Sequence, residues 1–146
     1  MTGPEIASQS PAATRPARPA DVDTGFWLWL AALPLMTTGY VVGLLASPEI
    51  AELPVTYPMV GLTALVVVVV VATFLMLMRS GYRWARTGLT GGGIASVVYA
   101  VSGLSHADAR PAVAVTVAVT GIVGSVLIAA GTYLLHRADA QEYFTR

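Results

Sequence analysis

Four long apolar stretches, each free of charged side chains, occupy most of this chain. They cover residues 25–46, 57–78, 87–104 and 112–135. A helix needs about 20 apolar residues to cross roughly 30 Å of hydrocarbon, and all four stretches approach or exceed that length. Inside a bilayer a helix satisfies its own backbone hydrogen bonds, whereas an open sheet edge does not. The sequence therefore predicts an all-α polytopic membrane protein, a four-transmembrane-helix bundle.

Two of the stretches need separate arguments. The second contains six consecutive valines at 66–71, a composition that is also typical of a buried strand. We predict a helix there, because the apolar run is too long for a strand and lipid does not tolerate open sheet edges. The third stretch is rich in glycine, which lowers its helix propensity, so we expect it to depend on neighbouring helices.

The chain outside these stretches is short and polar. Residues 1–24 contain several prolines and no apolar periodicity, which predicts a disordered tail that cannot offset the entropy of ordering. The apolar run that follows is longer than the 7 to 15 residues typical of a signal peptide, so we expect an uncleaved first helix. Residues 136–146 form a second short tail. Any function must lie in the bundle, its loops or its tails.

The distribution of arginine predicts how the bundle is oriented. The chain has eight basic residues other than histidine, all of them arginine. The side of the bundle opposite the termini has only Arg110, together with acidic residues in both loops. By the positive-inside rule, we expect a multi-pass plasma-membrane protein with both termini in the cytoplasm. The arginines on the cytoplasmic side are Arg15, Arg18, Arg79, Arg83, Arg86, Arg137 and Arg146.

Several classes of function are disfavoured by composition. The formal net charge of zero argues against nucleic-acid binding, and the lack of cysteine excludes thiolate metal sites and cysteine nucleophiles. No carboxylate pair, Ser-His-Asp set or ligand cluster converges, so we predict no enzymatic activity and no cofactor. Ionisable groups are also missing from the spans, which counts against proton-coupled transport. Small multidrug exporters, for example, have an essential glutamate in their first helix.

Pairs of small residues four positions apart indicate where helices approach closely. We expect most of them to pack within this bundle, and contact with another subunit is the alternative. The pairs are Gly39 with Gly43, Gly88 with Gly92, and Gly121 with Ser125.

A basic and aromatic turn joins the second and third spans. It contains Arg79, Arg83 and Arg86, with Trp84 between them. Such a cluster is typical of a topology determinant that contacts lipid headgroups. The alternative is a specific docking site for an anionic lipid headgroup or an acidic partner. The sequence does not distinguish this docking site from a topology determinant.

Two short motifs carry a resemblance to a known group. Residues 79–90, RSGYRWARTGLT, and the ending at 134–144, LLHRADAQEYF, resemble small four-helix integral membrane proteins of actinobacteria. In that group a basic residue, a glycine and Trp-Ala-Arg open the third helix, and an aromatic pair closes the chain. The resemblance spans about residues 25–146. The group has no assigned activity, so it implies the topology and no catalytic residue.

By elimination, we expect a structural or accessory subunit of a membrane complex, whose partners are the lipid bilayer and either a membrane protein or a second copy. The alternative is a small oligomeric transporter or channel subunit. Hydroxyls gathered on a water-filled interface would favour that alternative. A lipid-modifying enzyme would need a polar cleft near Arg83 and Arg86. The hydroxyls concerned are those of Thr90, Ser96, Thr116 and Thr120.

Overall fold

The computed structural model describes residues 20–48, 54–105 and 110–137, and these ranges are helical with short connections. The helices are α1 (Ala20–Ala46), α2 (Thr56–Arg79), α3 (Arg83–Leu104) and α4 (Pro111–Leu135). All four are long and apolar enough to cross a membrane, and the described residues contain no strand. The predicted all-α, four-helix membrane architecture is confirmed.

Two helices begin earlier than the apolar pattern predicts. Helix α1 starts at Ala20 rather than at residue 25, and α3 starts at Arg83 rather than at residue 87. Hydropathy marks only the part of a helix that suits lipid, whereas Asp21 and Asp23 favour the positive end of the α1 dipole. Residues 20–24 of the predicted disordered tail are therefore helical. The rest of that tail, residues 138–146 and both loop centres lie outside the described residues.

A tight turn separates α2 from α3. Gly81 has a φ of 89°, in the left-handed region that glycine adopts at little cost. The Tyr82 N–H donates to the Leu77 oxygen at 3.2 Å, and the Gly81 N–H donates to the Met78 oxygen at 2.9 Å. These two bonds form a Schellman motif, which satisfies carbonyls at a helix end. The motif ends α2 and allows α3 to begin at Arg83.

The helices form a ring in the order α1, α2, α3, α4. Helix α1 packs most extensively on α4, and α2 with α3 forms the weakest of the four neighbouring pairs. We call the end that carries Arg79, Arg83, Arg86 and Arg137 the arginine end, and the opposite end, where α1 and α3 finish, the loop end. The α1–α4 pair therefore has the most extensive contact in the fold, and α3 contacts its two neighbouring helices less extensively.

The buried core lies toward the arginine end. Large apolar side chains on the outer surfaces of α2, α3 and α4 are exposed, and such an extensive apolar surface suits lipid rather than water. Packing is therefore tight at the arginine end and more open at the loop end. The buried core residues are Val22, Phe26, Trp29, Ala32, Leu75, Met78, Ala85, Leu89, Ile128 and Leu135.

Candidate functional site

Arg79, from the predicted basic turn, joins α2 to α1. Its Nη2 donates to Asp23 Oδ1 at 3.3 Å, and its guanidinium carbon lies 4.8 Å from the centroid of the Phe26 ring. The ion pair is partly exposed, so it contributes little free energy by itself. Because the guanidinium also covers an aromatic core residue, Arg79 acts as a connection between two helices.

Arg86 makes the corresponding connection between α3 and α4. Its Nη1 donates to the backbone oxygen of Leu135 at 3.2 Å, at the end of α4 where carbonyls have no partner within the helix. Arg137, just beyond α4, pairs with Asp21 of α1 at 3.3 Å. Three arginines therefore fasten the helix ends to one another at the arginine end.

Arg83 and Trp84 lie on the outer surface of the bundle. Arg83 is exposed and forms no ion pair within the described part of the chain. Trp84 is 55% exposed, and its ring packs edge-on against Phe74 at a centroid distance of 5.1 Å. The structure thus divides the predicted site: Arg79 and Arg86 are engaged between helices, and Arg83 and Trp84 are exposed.

The predicted packing glycines of α1 lie against α4. A Cβ placed on Gly39 would lie 2.5 Å from Thr120 Oγ1, and one placed on Gly43 would lie 3.6 Å from Val117 Cγ2. At these positions the lack of a side chain allows the two helices to approach closely. Gly121 of α4 lies near α3, where a Cβ would be 3.5 Å from that of Ala100.

The Gly88–Gly92 pair is split by the structure. Gly88 lies against the Phe74 ring of α2, but nothing lies within 4 Å of a Cβ at Gly92. Gly92 therefore makes no packing contact in the bundle, because its position on α3 turns it outward. Gly93 takes the inward position instead, where a Cβ would lie 2.8 Å from both Trp29 and Ile128.

On α4 the close contact next to the predicted Ser125 is made by Gly124. A Cβ there would lie 3.0 Å from Met36 Cγ, and one on Gly131 would lie 2.7 Å from Trp29 Cδ1. Neither of these two glycines belongs to the predicted pairs of small residues four positions apart. Their separation of seven residues, which keeps them on one helix face, is the signal that could have found them. Ser125 itself is half-buried.

A cleft that the sequence did not indicate opens at the loop end. Its volume is about 990 Å³, and its walls come from α1, α3 and α4. The rings of Tyr40 and Tyr99 line it with their centroids 6.0 Å apart. Arg110 also lines the cleft and donates a hydrogen bond to the backbone oxygen of Ala46.

The hydroxyl groups that would favour a channel are hydrogen-bonded within their own helices. Each donates to the backbone carbonyl four residues earlier in its own helix, a pattern that satisfies the hydroxyl without water. The bonds are Thr90 to Arg86 at 2.9 Å, Ser96 to Gly92 at 2.9 Å, Thr116 to Ala112 at 2.8 Å, and Thr120 to Thr116 at 2.7 Å.

No group of three or more metal-ligating side chains lies among the residues that the structure describes. His106 and Asp108, two apart in the sequence, fall outside that part of the chain. His136, at the arginine end, lies with its Nδ1 2.9 Å from the Thr132 backbone oxygen. Compared with family models, curated proteins and solved structures, the chain matches none of them.

Proposed function

We propose that this chain is a non-catalytic structural or accessory subunit that associates with another membrane protein or with a second copy of itself. The observation that carries the proposal is an outward surface of small residues on α3, which we call the α3 patch: Gly91, Gly92, Ala95 and Ser96. All four are exposed, and nothing lies within 4 Å of a Cβ at Gly91 or Gly92.

Small residues on a membrane helix allow another helix to approach its backbone closely, so that van der Waals contacts accumulate along the pair. The α3 patch lies next to Ile94 and Val98, which are 62% and 59% exposed and would pack against the flanks of a partner helix. Gly88 meets α2 within the bundle, whereas Gly92 is available outside it.

The low hydropathy of α3 supports the same proposal. Among the four spans, α3 has the lowest mean hydropathy, yet much of its surface is exposed in the single chain. Glycines gain little from contact with lipid, because they have no side chain to bury. A partner helix on the α3 patch would replace that weak lipid contact with close packing and help to keep α3 inserted.

The first experiment compares Gly92→Leu with the matched control Gly61→Leu. Both glycines have open space at the Cβ position, so neither change disturbs the bundle, but Gly61 lies on α2, outside the α3 patch. The tagged full chain is extracted from its native membrane in mild detergent, sized, and identified with its partners by mass spectrometry. We expect the wild type and Gly61→Leu to retain a stoichiometric partner or second copy, and Gly92→Leu to lose it.

Two results would contradict this proposal. One is that the wild type is a single chain without a partner. The other is that Gly92→Leu retains its partner as fully as the wild type does, since the α3 patch would then have no part in association.

The alternative function is a small oligomeric transporter or channel subunit. It requires a polar path, but the four hydroxyls predicted to line one each donate to a backbone carbonyl of their own helix. This arrangement gives the alternative less support. Ion flux into proteoliposomes that contain the purified chain, compared with protein-free vesicles, tests it directly. Flux well above the protein-free level would support the transporter or channel function instead of the accessory role.

At the arginine end, we propose that Arg83 and Trp84 contact lipid headgroups. The exposed guanidinium suits a phosphate layer, and an exposed indole beside it suits the interface between headgroups and hydrocarbon. The same surface would anchor α3 at its start, next to the Gly81 turn.

A further inference from the structure

The cleft at the loop end reaches from the helix ends to about the middle of the membrane. Within α1 its lining runs from Met36 to Ala46, and on α4 from Arg110 to Gly121. At 1.5 Å per residue the α1 wall is about 15 Å long, which is half of the roughly 30 Å of hydrocarbon in a bilayer. An occupant that fits this space therefore extends along one leaflet only.

Small residues leave the cleft open. Ala100 and Gly103 on α3, with Ala114 and Ala118 on α4, line it, and nothing lies within 4 Å of a Cβ at Gly103. An unfilled space loses dispersion contacts along its walls. Spread along the α1 wall, the volume of about 990 Å³ is narrower than a second helix with its side chains, which is about 10–12 Å across. A flexible hydrocarbon chain fits it better.

Charge does not select the occupant. Arg110 lines the cleft, but it donates to the Ala46 oxygen and has a further interaction partner. In the sequence, the two loops at this end carry the carboxylates of Glu49, Glu52 and Asp108 and no second arginine, so no excess of positive charge attracts an anion. None of the described lining residues is acidic either. The part of the occupant that lies inside the cleft is therefore uncharged.

Two tyrosines indicate that this uncharged part carries a hydrogen-bond acceptor. Within the described part of the chain, neither Tyr40 nor Tyr99 forms a hydrogen bond through its hydroxyl, although both line a largely apolar space. A hydroxyl in hydrocarbon without a partner is costly. Tyr99 is 56% exposed, so a molecule can reach it from the bilayer.

The position of the tyrosines favours an ester carbonyl as that acceptor. Tyr40 lies six residues before Ala46, and Tyr99 five residues before Leu104, so both are within about two turns of a helix end. Tyrosine at this level is typical of the boundary between headgroups and hydrocarbon. The neutral ester groups of a diacyl lipid lie at the same boundary, and each is followed directly by an acyl chain.

We propose that the cleft binds one diacyl lipid from the leaflet at the loop end, and that it recognises the ester-linked acyl chain and not the headgroup. The phenols of Tyr40 and Tyr99 donate to the ester region, and the acyl chain runs along the small residues between Gly103 and Gly121. The α3 patch contributes no residue to the cleft, so this site does not depend on the proposed accessory role.

The first experiment tests where the lipid binds. The purified full chain in mild detergent is supplied with diacyl phosphatidylcholine, and bound lipid is counted by native mass spectrometry. Gly103→Phe fills the cleft, and Gly61→Phe is the matched control, because both glycines have open space and Gly61 lies outside the cleft. We expect one lipid per chain in the wild type and in Gly61→Phe, and binding about tenfold weaker or worse in Gly103→Phe. Ala118→Leu narrows the cleft from α4 and provides the same test if Gly103→Phe folds poorly.

The second experiment tests which part of the lipid is recognised. Diacyl phosphatidylcholine is compared with diacyl phosphatidylglycerol and with a diether phosphatidylcholine of equal chain length, which has no ester carbonyl. We expect the wild type to bind the two diacyl lipids equally and the diether lipid about two- to tenfold more weakly, as the loss of a hydrogen bond predicts. Tyr40→Phe combined with Tyr99→Phe should remove the difference between ester and ether.

Four results would overturn the proposal. The cleft-filling variants could retain lipid as the wild type does, or they could convert a dimer to a monomer, which would make a second copy the occupant. The wild type could bind the diether lipid as tightly as the diacyl lipid. A clear preference for phosphatidylglycerol would show that the headgroup is recognised through its charge instead.

Discussion

The indole ring of Trp29 lies directly against the backbone of Gly131, so that a Cβ at residue 131 would lie 2.7 Å from Trp29 Cδ1. Next to this contact, a Cβ on Gly25 would lie 3.3 Å from the Gly131 oxygen. Helices α1 and α4 therefore approach each other almost backbone to backbone at this level, with the indole filling the space beside them. The contact accounts for the tight packing at the arginine end.

Gly131→Ala is expected to destabilise the bundle. Real Cβ contacts are longer than 2.7 Å, and Trp29 is buried among core residues, so accommodating the methyl group should cost about 1–3 kcal/mol of the free energy of unfolding. Equilibrium unfolding in detergent micelles measures it. Gly91→Ala is the control, since open space at Gly91 and higher helix propensity should leave stability equal or greater. A Gly131→Ala variant as stable as the wild type would refute the contact.

Gly39→Ala should be destabilising in a way that a second substitution relieves. The new Cβ would meet Thr120 Oγ1 at 2.5 Å, and that hydroxyl is held by its bond to the Thr116 oxygen at 2.7 Å. Removing the hydroxyl with Thr120→Ala should restore most of the loss. We expect a coupling energy of about 0.5–3 kcal/mol in a double-mutant cycle, measured by unfolding. Strictly additive effects would argue against this α1–α4 contact.

The pairing of α3 with α4 can be tested by a disulfide, because the chain has no cysteine of its own. A Cβ on Gly121 would lie 3.5 Å from that of Ala100, within the range of about 3.5–4.5 Å between the Cβ atoms of a disulfide. Ala100→Cys with Gly121→Cys should therefore oxidise readily, as counted by loss of free thiols. The control pairs Gly121→Cys with Ala95→Cys, which faces outward and should stay reduced. Free thiols in the first pair after oxidation would contradict the packing.

Two arginines of the same helix should differ in their effect on stability. Arg86→Gln removes the guanidinium that donates to the Leu135 oxygen, and a hydrogen bond from a charged group contributes about 1.5–3 kcal/mol. Because the group is partly exposed, we expect a loss near the lower end of that range. Arg83→Gln is the control and should leave unfolding nearly unchanged, since Arg83 faces outward. Equal losses in the two variants would remove the distinction between them.

The orientation of the protein in the membrane can be measured with single introduced cysteines and a thiol reagent that does not cross membranes. Ser105→Cys lies at the loop end and Ser80→Cys at the arginine end. From the positive-inside rule, we expect Ser105→Cys to react in intact cells, and Ser80→Cys to react only after the membrane is made permeable. The reverse pattern would place the termini outside and overturn the predicted topology.

The different surroundings of Arg79, which binds another helix, and Arg83, which is exposed, show how much of the candidate site could be predicted. Basic and aromatic residues at a span boundary are recognisable from their order in the chain, so the turn itself was predictable. Which of them reach across to another helix depends on how α3 is rotated and on where α1 and α4 end. Asp23, the partner of Arg79, is 56 residues away in sequence, and no local pattern connects the two.

Four membrane-spanning helices could be predicted from the amino-acid sequence, because hydropathy and span length are properties of each segment alone. The packing of the helices determines that Gly93 rather than Gly92 faces the core, that the face of α4 with Gly124 and Gly131 lies against α1, and that a cleft opens beside Tyr40. These features depend on the rotation of each helix about its axis and on which helices are neighbours. Both are set by packing between segments far apart in sequence, which a periodicity within one segment does not encode.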